Sequence, residues 1–167
     1  MIDVVRADIT QFRADAIVNA AKSSLMGGGG VDGSIHRAGG SSILDACKLL
    51  RATTLPRGLD VGAAVATTAG RLPAQWVIHT VGPKFSPHED RTADLVAAYQ
   101  RSLVLARSLG LSSVAFPLIS GGSYGWPMYD AVAAQVRAVK TADVSVDLVT
   151  LVAFSRDIAD LTEKMVR

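Results

Sequence analysis

An α/β fold with one sheet covered by helices on both faces is predicted by three observations. Short apolar runs alternate along the chain with stretches of helical spacing, the signature of a sheet buried on both sides. Two glycine-rich stretches, Gly27–Gly30 and Gly121–Gly122, fall in loops beyond such runs, where ligands of open α/β sheets bind. The 167 residues, 49% hydrophobic and 19% charged, suffice for one full core and predict a single domain over residues 1–167.

Ile2 to Val5 reads as the first strand, and Arg6-Ala7-Asp8-Ile9-Thr10 turns out of it. Ala16 to Asn19 is a second, buried strand that ends in a polar residue. A helical pattern starts at Gly33, breaks at Gly39-Gly40 and resumes with Ile43, Leu44, Cys47 and Leu50. Ala63–Thr68 and Trp76–Thr80 are the next strands, joined through Gly70-Arg71-Leu72-Pro73, and Gly82-Pro83 ends the second. A polar loop from Lys84 to Arg91 precedes an amphipathic helix marked by Leu95, Ala98, Tyr99, Ser102, Leu103, Ala106 and Leu109, with Gly110 as its C-terminal cap. Ser113–Pro117 is a strand that feeds the second glycine loop. Pro127 suits the start of a helix carrying Val132, Val136 and Val139. Asp147–Ala153 completes the sheet, and Ser155 caps a terminal helix.

Charge and composition exclude several functions. Seventeen basic against fifteen acidic residues leave +2, scattered rather than striped, which disfavours a generic phosphate-backbone binder. The start M-I-D-V-V-R-A-D lacks a basic then apolar leader, and no run approaches a membrane span, so a cytoplasmic protein without membrane contact is expected. Three histidines and one cysteine show no ligand spacing, so no metal and no cofactor is expected. Cys47, flanked by Leu44 and Leu50 at helical spacing, reads as a buried thiol.

The chemistry centres on Asn19 to His36, N-A-A-K-S-S-L-M-G-G-G-G-V-D-G-S-I-H. Four consecutive glycines cost backbone entropy and pack nothing, so they imply a backbone that approaches a ligand or turns several N–H groups onto an anion. Gly28 to Gly33 satisfies G-x-G-x-x-G, but the dinucleotide motif must directly follow a strand, and Ala16–Asn19 ends well upstream. A P-loop needs Lys and then Ser or Thr after the last glycine, where Ser34-Ile35 stand. With S-G-G-S-Y-G-W-P at Ser120–Pro127 facing it, the stretch suits a diphosphate between two bulky groups.

Several side chains carry two readings each. Asp32 is either an N-cap worth ~1 kcal/mol or a carboxylate beside the ligand. His36, four residues on, lies on the same helical face and is either an ordinary histidine or its partner. Asp8 is a turn residue or an acceptor for an exocyclic amine. Tyr124 and Trp126 cover a sugar or base, or belong to the core. His79, at a strand end, is expected to be structural.

Together these residues resemble a macrodomain, the ADP-ribose-binding α/β/α module, and within that family its MacroD-type class. The resemblance runs nearly end to end. It rests on six ordered blocks: Ala7–Thr10, Asp15–Ala21, Gly28–Gly33, Ile35–Gly39, Val77–Pro83 and Pro117–Ser120. It implies a three-layer α/β/α sandwich with a mixed, mostly parallel sheet, and a protein that binds ADP-ribose. The implied reaction is hydrolysis of ADP-ribosyl esters, either mono-ADP-ribose on acidic side chains or O-acetyl-ADP-ribose. The implied partners are ADP-ribose, ADP-ribosylated protein and, by family analogy alone, ADP-ribosylated nucleic acid.

Carried over by position, Asp8 and Ile9 match the adenine-recognising pair. Asn19 and the loop Gly29, Gly30, Val31 and Asp32 match residues around the distal ribose. Ser120, Gly121, Gly122, Ser123 and Tyr124 match the diphosphate loop, with Tyr124 covering the distal ribose. Asp32 would position or activate a water, with His36 supporting the loop and the diphosphate assisting as a base. Two positions depart from the pattern. The usual S-T-G is Ser120-Gly121-Gly122, and the second Asn of N-A-A-N, commonly catalytic, is Lys22. Lys22 is then an exposed loop lysine, leaving a binder or a weak enzyme, a cation that neutralises the phosphates or Asp32, or an amine nucleophile at the anomeric carbon.

Overall fold

The computed structural model describes residues 1–167. Six strands, β1 (Ile2–Arg6), β2 (Ala16–Ala20), β3 (Ala64–Thr68), β4 (Trp76–Thr80), β5 (Ser113–Phe116) and β6 (Leu148–Ala153), form one sheet in the order β1-β6-β5-β2-β4-β3. Every neighbouring pair is parallel except β3 and β4, so the sheet is mixed and mostly parallel. Side chains alternate faces with period two, which divides the core. Ala16, Val18, Ile78, Val114, Phe116 and Leu151 join the cluster under α3 (Thr92–Ser108), α4 (Met128–Lys140) and α5 (Arg156–Val166). Ile17, Val77, Ala115 and Val152 pack oppositely, under α1 (Gly30–Gly39) and α2 (Ser41–Ala52). The result is the three-layer α/β/α sandwich.

This connectivity makes the crevice. After β2 the chain leaves over the α1/α2 face toward β4, whereas after β5 it leaves over the opposite face toward β6. β2 and β5 are adjacent and parallel, so their C-terminal ends part into two loops at the point where the winding reverses. Both glycine loops emerge there.

Local signals fix most helix ends. At α3, Gly110 takes φ +73°, Leu111 N–H donates to Ala106 O at 3.1 Å and Gly110 N–H to Arg107 O at 3.0 Å, which closes the helix as its glycine predicts. Ser155 Oγ accepts from Ile158 N–H at 3.3 Å and starts α5. Gly40, at φ +87°, breaks α1 from α2. Strand ends differ from the sequence expectation by single residues: β1 runs on to Arg6 and β2 to Ala20, β5 stops at Phe116, and β3 and β6 begin at Ala64 and Leu148. The larger difference is that α1 begins at Gly30 rather than Gly33. The first turn of a helix has no internal N–H partners and here carries glycines, so periodicity does not reveal it. Asp32 is accordingly the third residue of α1, and its N-cap reading is wrong: the capping position is Gly29, with no side-chain cap. No helix is long and apolar enough to cross a membrane.

Candidate functional site

The first loop folds back onto its own helix. A Cβ on Gly33 would stand 2.3 Å from the Gly28 carbonyl oxygen, so only glycine lets the backbone pass there. Gly30 takes φ +60°, which brings the chain into the start of α1. None of the backbone N–H groups from Gly28 to Asp32 donates to a protein acceptor. They sit at the positive end of the helix dipole.

The second loop is pinned from below. Ser120 takes φ +65°, an unfavourable backbone for a residue with a Cβ, and Ser120 Oγ donates to the Pro83 carbonyl oxygen at 2.8 Å. Trp126 Nε1 donates to the same oxygen at 3.0 Å, and Trp126 N–H to Ser120 O at 3.2 Å. A Cβ on Gly82 would lie 2.2 Å from Ser120 Oγ, so the segment just past β4 must carry a glycine there for the loop to dock. The N–H groups of Ser120 to Tyr124 likewise have no protein acceptor.

Between the loops runs a crevice of about 370 Å³. It gathers nine of the sequence-selected residues: Lys22, Gly29, Gly30, Val31, Asp32, Ser120, Gly122, Ser123 and Tyr124. Gly121 is in the loop but outside the lining, and a Cβ there would press on Leu118. Asn19 lies fully buried beneath the floor. Its Nδ2 donates to Asp32 Oδ1 at 2.9 Å and lies 3.1 Å from His79 Nδ1. Asp32 Oδ2 and Asn19 Oδ1 are buried without any protein donor.

His36 stands behind the first loop. Its Nε2 is 3.4 Å from Asp32 Oδ1 but misaligned for a hydrogen bond, and its ring packs 3.5 Å from where a Gly27 Cβ would be. It lines a separate groove with Met26 and Arg37, so its placement supports the loop rather than the crevice. Lys22 is not turned away from the site. A Cβ on Gly28 would stand 2.8 Å from Lys22 Nζ and 3.5 Å from Asp32 Oδ2, so the ammonium lies across the loop toward the unpartnered carboxylate oxygen. No ion pair forms between them.

Asp8 and Ile9 lie outside this crevice, beyond β1 at the far side of the sheet. Asp8 Oδ1 accepts from Thr10 N–H and Thr10 Oγ1, capping a short 3-10 turn over Ile9–Gln11, while its other oxygen is unengaged. The Ala7 N–H to Ala153 O bond joins the segment leading into Asp8 to the one leading into Phe154, a residue 90% exposed. The sequence reading missed Phe154. An aromatic just past the last apolar run, where burial should end, was the available signal. Trp126 resolves as core, 7% exposed and edge-on to Phe85, whereas Tyr124 lines the crevice with Lys84 Nζ 5.7 Å from its ring centre.

Cys47 is buried, and desolvation, with the Asp32 charge adding to it, pushes its thiol up to about 11, which leaves it unreactive. His79 is also buried, and desolvation, reinforced by His36, lowers its imidazole to about 3. It is a neutral ring in contact with the site's polar floor.

Two runs of unpaired N–H groups converging on one crevice, with a buried carboxylate at its end, define an α/β/α anion-binding module. The Macro domain family model matches residues 18–135, and the chain belongs to the macrodomain family, closely related to its MacroD-type class. It is 58% identical over 139 residues to the Macro domain-containing protein in the non 5′ region of Streptomyces griseus, covering 83% of this chain and 78% of that one. It is 51% identical over 139 residues to the O-acetyl-ADP-ribose deacetylase of Salmonella typhimurium, covering 83% and 76%. The Oceanobacillus iheyensis macrodomain with ADP superposes with a TM-score of 0.93 at 37% identity, over 97% of this chain and 87% of that one.

Proposed function

We propose that this protein binds ADP-ribose and hydrolyses ADP-ribosyl esters, removing mono-ADP-ribose from acidic side chains or acetate from O-acetyl-ADP-ribose. The observation that carries the reading is the crevice itself: two sets of free backbone donors face each other, and the buried Asp32 oxygen without a partner closes one end. Free N–H groups suit a diphosphate, because an anion satisfies several at once. The named activity of the Salmonella relative and the ADP held by the Oceanobacillus relative point the same way.

In this reading the diphosphate rests on the Ser120–Tyr124 loop and the start of α1. Adenine reaches the β1 edge, where Asp8 accepts from its amine, Ile9 lies beside it and Phe154 covers a ring face. The distal ribose sits between Tyr124 and Asp32, with Asn19 Oδ1 below it. Asp32 orients a water whose oxygen bonds to the anomeric carbon as the carboxylate leaves with the electron pair of the broken bond. The water's proton passes to Asp32 or the diphosphate. The whole unit of residues 1–167 acts as one module.

Lys22 favours a second reading. Its ammonium supplies donors only, where an Asn would also accept from a sugar hydroxyl, so a reader that binds ADP-ribose without turnover is the alternative. Lys22 is exposed, as a loop lysine would be, and its Nζ over Gly28 also suits the charge-neutralising role. Incubation of ADP-ribosylated protein and of O-acetyl-ADP-ribose with wild type and Lys22→Asn separates the two. Turnover by wild type supports the enzyme; saturable ADP-ribose binding with no product, and a gain of activity in Lys22→Asn, supports the reader. Absence of ADP-ribose binding by calorimetry refutes both.

A further inference from the structure

Thr67 on β3, His79 on β4 and Asn19 on β2 occupy three neighbouring strands on the α1/α2 side, and they form a buried chain that reaches Asp32. Its donors follow by elimination. An ionised carboxylate only accepts, so the Asn19 atom 2.9 Å from Asp32 Oδ1 is the amide Nδ2. The same Nδ2 faces His79 Nδ1 at 3.1 Å, which must therefore be the bare, accepting nitrogen. In a neutral ring the proton is then on Nε2, 2.8 Å from Thr67 Oγ1. The Thr67 hydroxyl donates its own proton to the Thr68 carbonyl oxygen at 3.0 Å, which leaves Oγ1 to accept from the ring. Cys47 Sγ, 3.9 Å from Nε2, is a poor substitute.

Each link therefore runs one way, and the orientation of the Asn19 carboxamide is set two strands away. What the chain leaves over is a pair of buried acceptors, Asn19 Oδ1 and Asp32 Oδ2. Moving the ring proton to Nδ1 would set two donors face to face. The carboxamide would turn over, lose Asp32 and present an NH₂ group in place of its oxygen.

We infer that Thr67 and His79 are positioning residues that hold the Asn19 carboxamide with Oδ1 uppermost, so that it and Asp32 Oδ2 together receive hydrogen-bond donors from the substrate side. Those donors are ribose hydroxyls or the attacking water, an identification that rests on the ADP-ribosyl ester reading. Neither residue touches substrate. Their role is to give the site floor acceptor rather than donor polarity.

Nitrogen-15 NMR of histidine-labelled wild type reads the ring directly, with expected protonation at Nε2 and a bare Nδ1. A ring protonated at Nδ1 overturns the inference. Thr67→Val, close in shape but without the hydroxyl, is expected to give mixed tautomers and a kcat lower by roughly ten- to a hundredfold, the scale of a misplaced catalytic group. KM should change little. Thr67→Ser restores both signals. Unchanged kcat in Thr67→Val, or an equal loss in Thr67→Ser, overturns the inference. If wild type binds no ADP-ribose, the functional reading fails instead, and the NMR measurement, which needs no substrate, still decides the tautomer.

Discussion

The two faces of the sheet are built to different rules. Under α3, α4 and α5 lies a cluster of 21 buried hydrophobic residues, and the large polar groups buried with it are satisfied: Tyr99 Oη accepts from Ile119 N–H at 2.8 Å and Gln135 Nε2 donates to Pro117 O at 3.1 Å. The face under α1 and α2 has 14 buried hydrophobics and carries Thr67, His79, Asn19 and Asp32 through its centre, with acceptor atoms left unpaired. An unpaired buried acceptor costs about 1–3 kcal/mol. Stability is thus concentrated on one side of the sheet, and the buried, partly unsatisfied polar groups on the other. Functional sites commonly sacrifice stability in this way.

The largest effect that would break this contrast is on activity. Asp32→Ala is expected to lower ester hydrolysis by about 10²- to 10⁴-fold, the range of a lost general acid–base or water-positioning group, measured by release of free ADP-ribose. Wild-type rates in that variant would remove Asp32 from the mechanism. On the opposite face, Phe116→Ala should cost about 3–5 kcal/mol in urea unfolding, because Phe116 is fully buried against Tyr99 at 5.3 Å between ring centres. Any catalytic loss in that variant should vanish once the folded fraction is taken into account.

Tyr99→Phe is a finer test of the same face. It strands the Ile119 N–H and should cost about 1–3 kcal/mol, while ADP-ribose affinity stays the same. The smallest effect per step is on pH. The unfolded chain protonates His79 near pH ~6.5. The folded chain does so only at about 3, so between those values the unfolded state holds the extra proton. This contribution to stability is complete above the upper value and is lost as pH falls through the window, by at most ~1.4 kcal/mol per unit. Urea midpoints from pH 7 to 4 should decline less steeply in His79→Phe. Parallel slopes would show that the acid sensitivity arises elsewhere.

Much of this arrangement is legible in the chain. Four glycines in a row, a helix breaker at Gly40 and caps at Gly110 and Ser155 leave local marks, because backbone conformations at turns admit few residue types. The loop residues around Asp32 and Tyr124 were recognisable for the same reason. The start of α1 was not, since first-turn residues need not repeat at helical spacing. Phe154 was missed because an apolar residue next to a strand reads as part of it until exposure is known.

The amino-acid order alone settled which segments are strand or helix, that two glycine loops follow strands, and to which family the blocks belong. Those are properties of neighbours in the chain. Only the folded sheet decided that Thr67, His79, Asn19 and Asp32 form one directed chain, and that Lys22 lies across Gly28 toward Asp32. Asn19 and His79 are 60 residues apart, yet they sit opposite one another because β2 and β4 pair in register. A hydrogen bond depends on distance and direction in space, and neither is encoded by residue type at a single position.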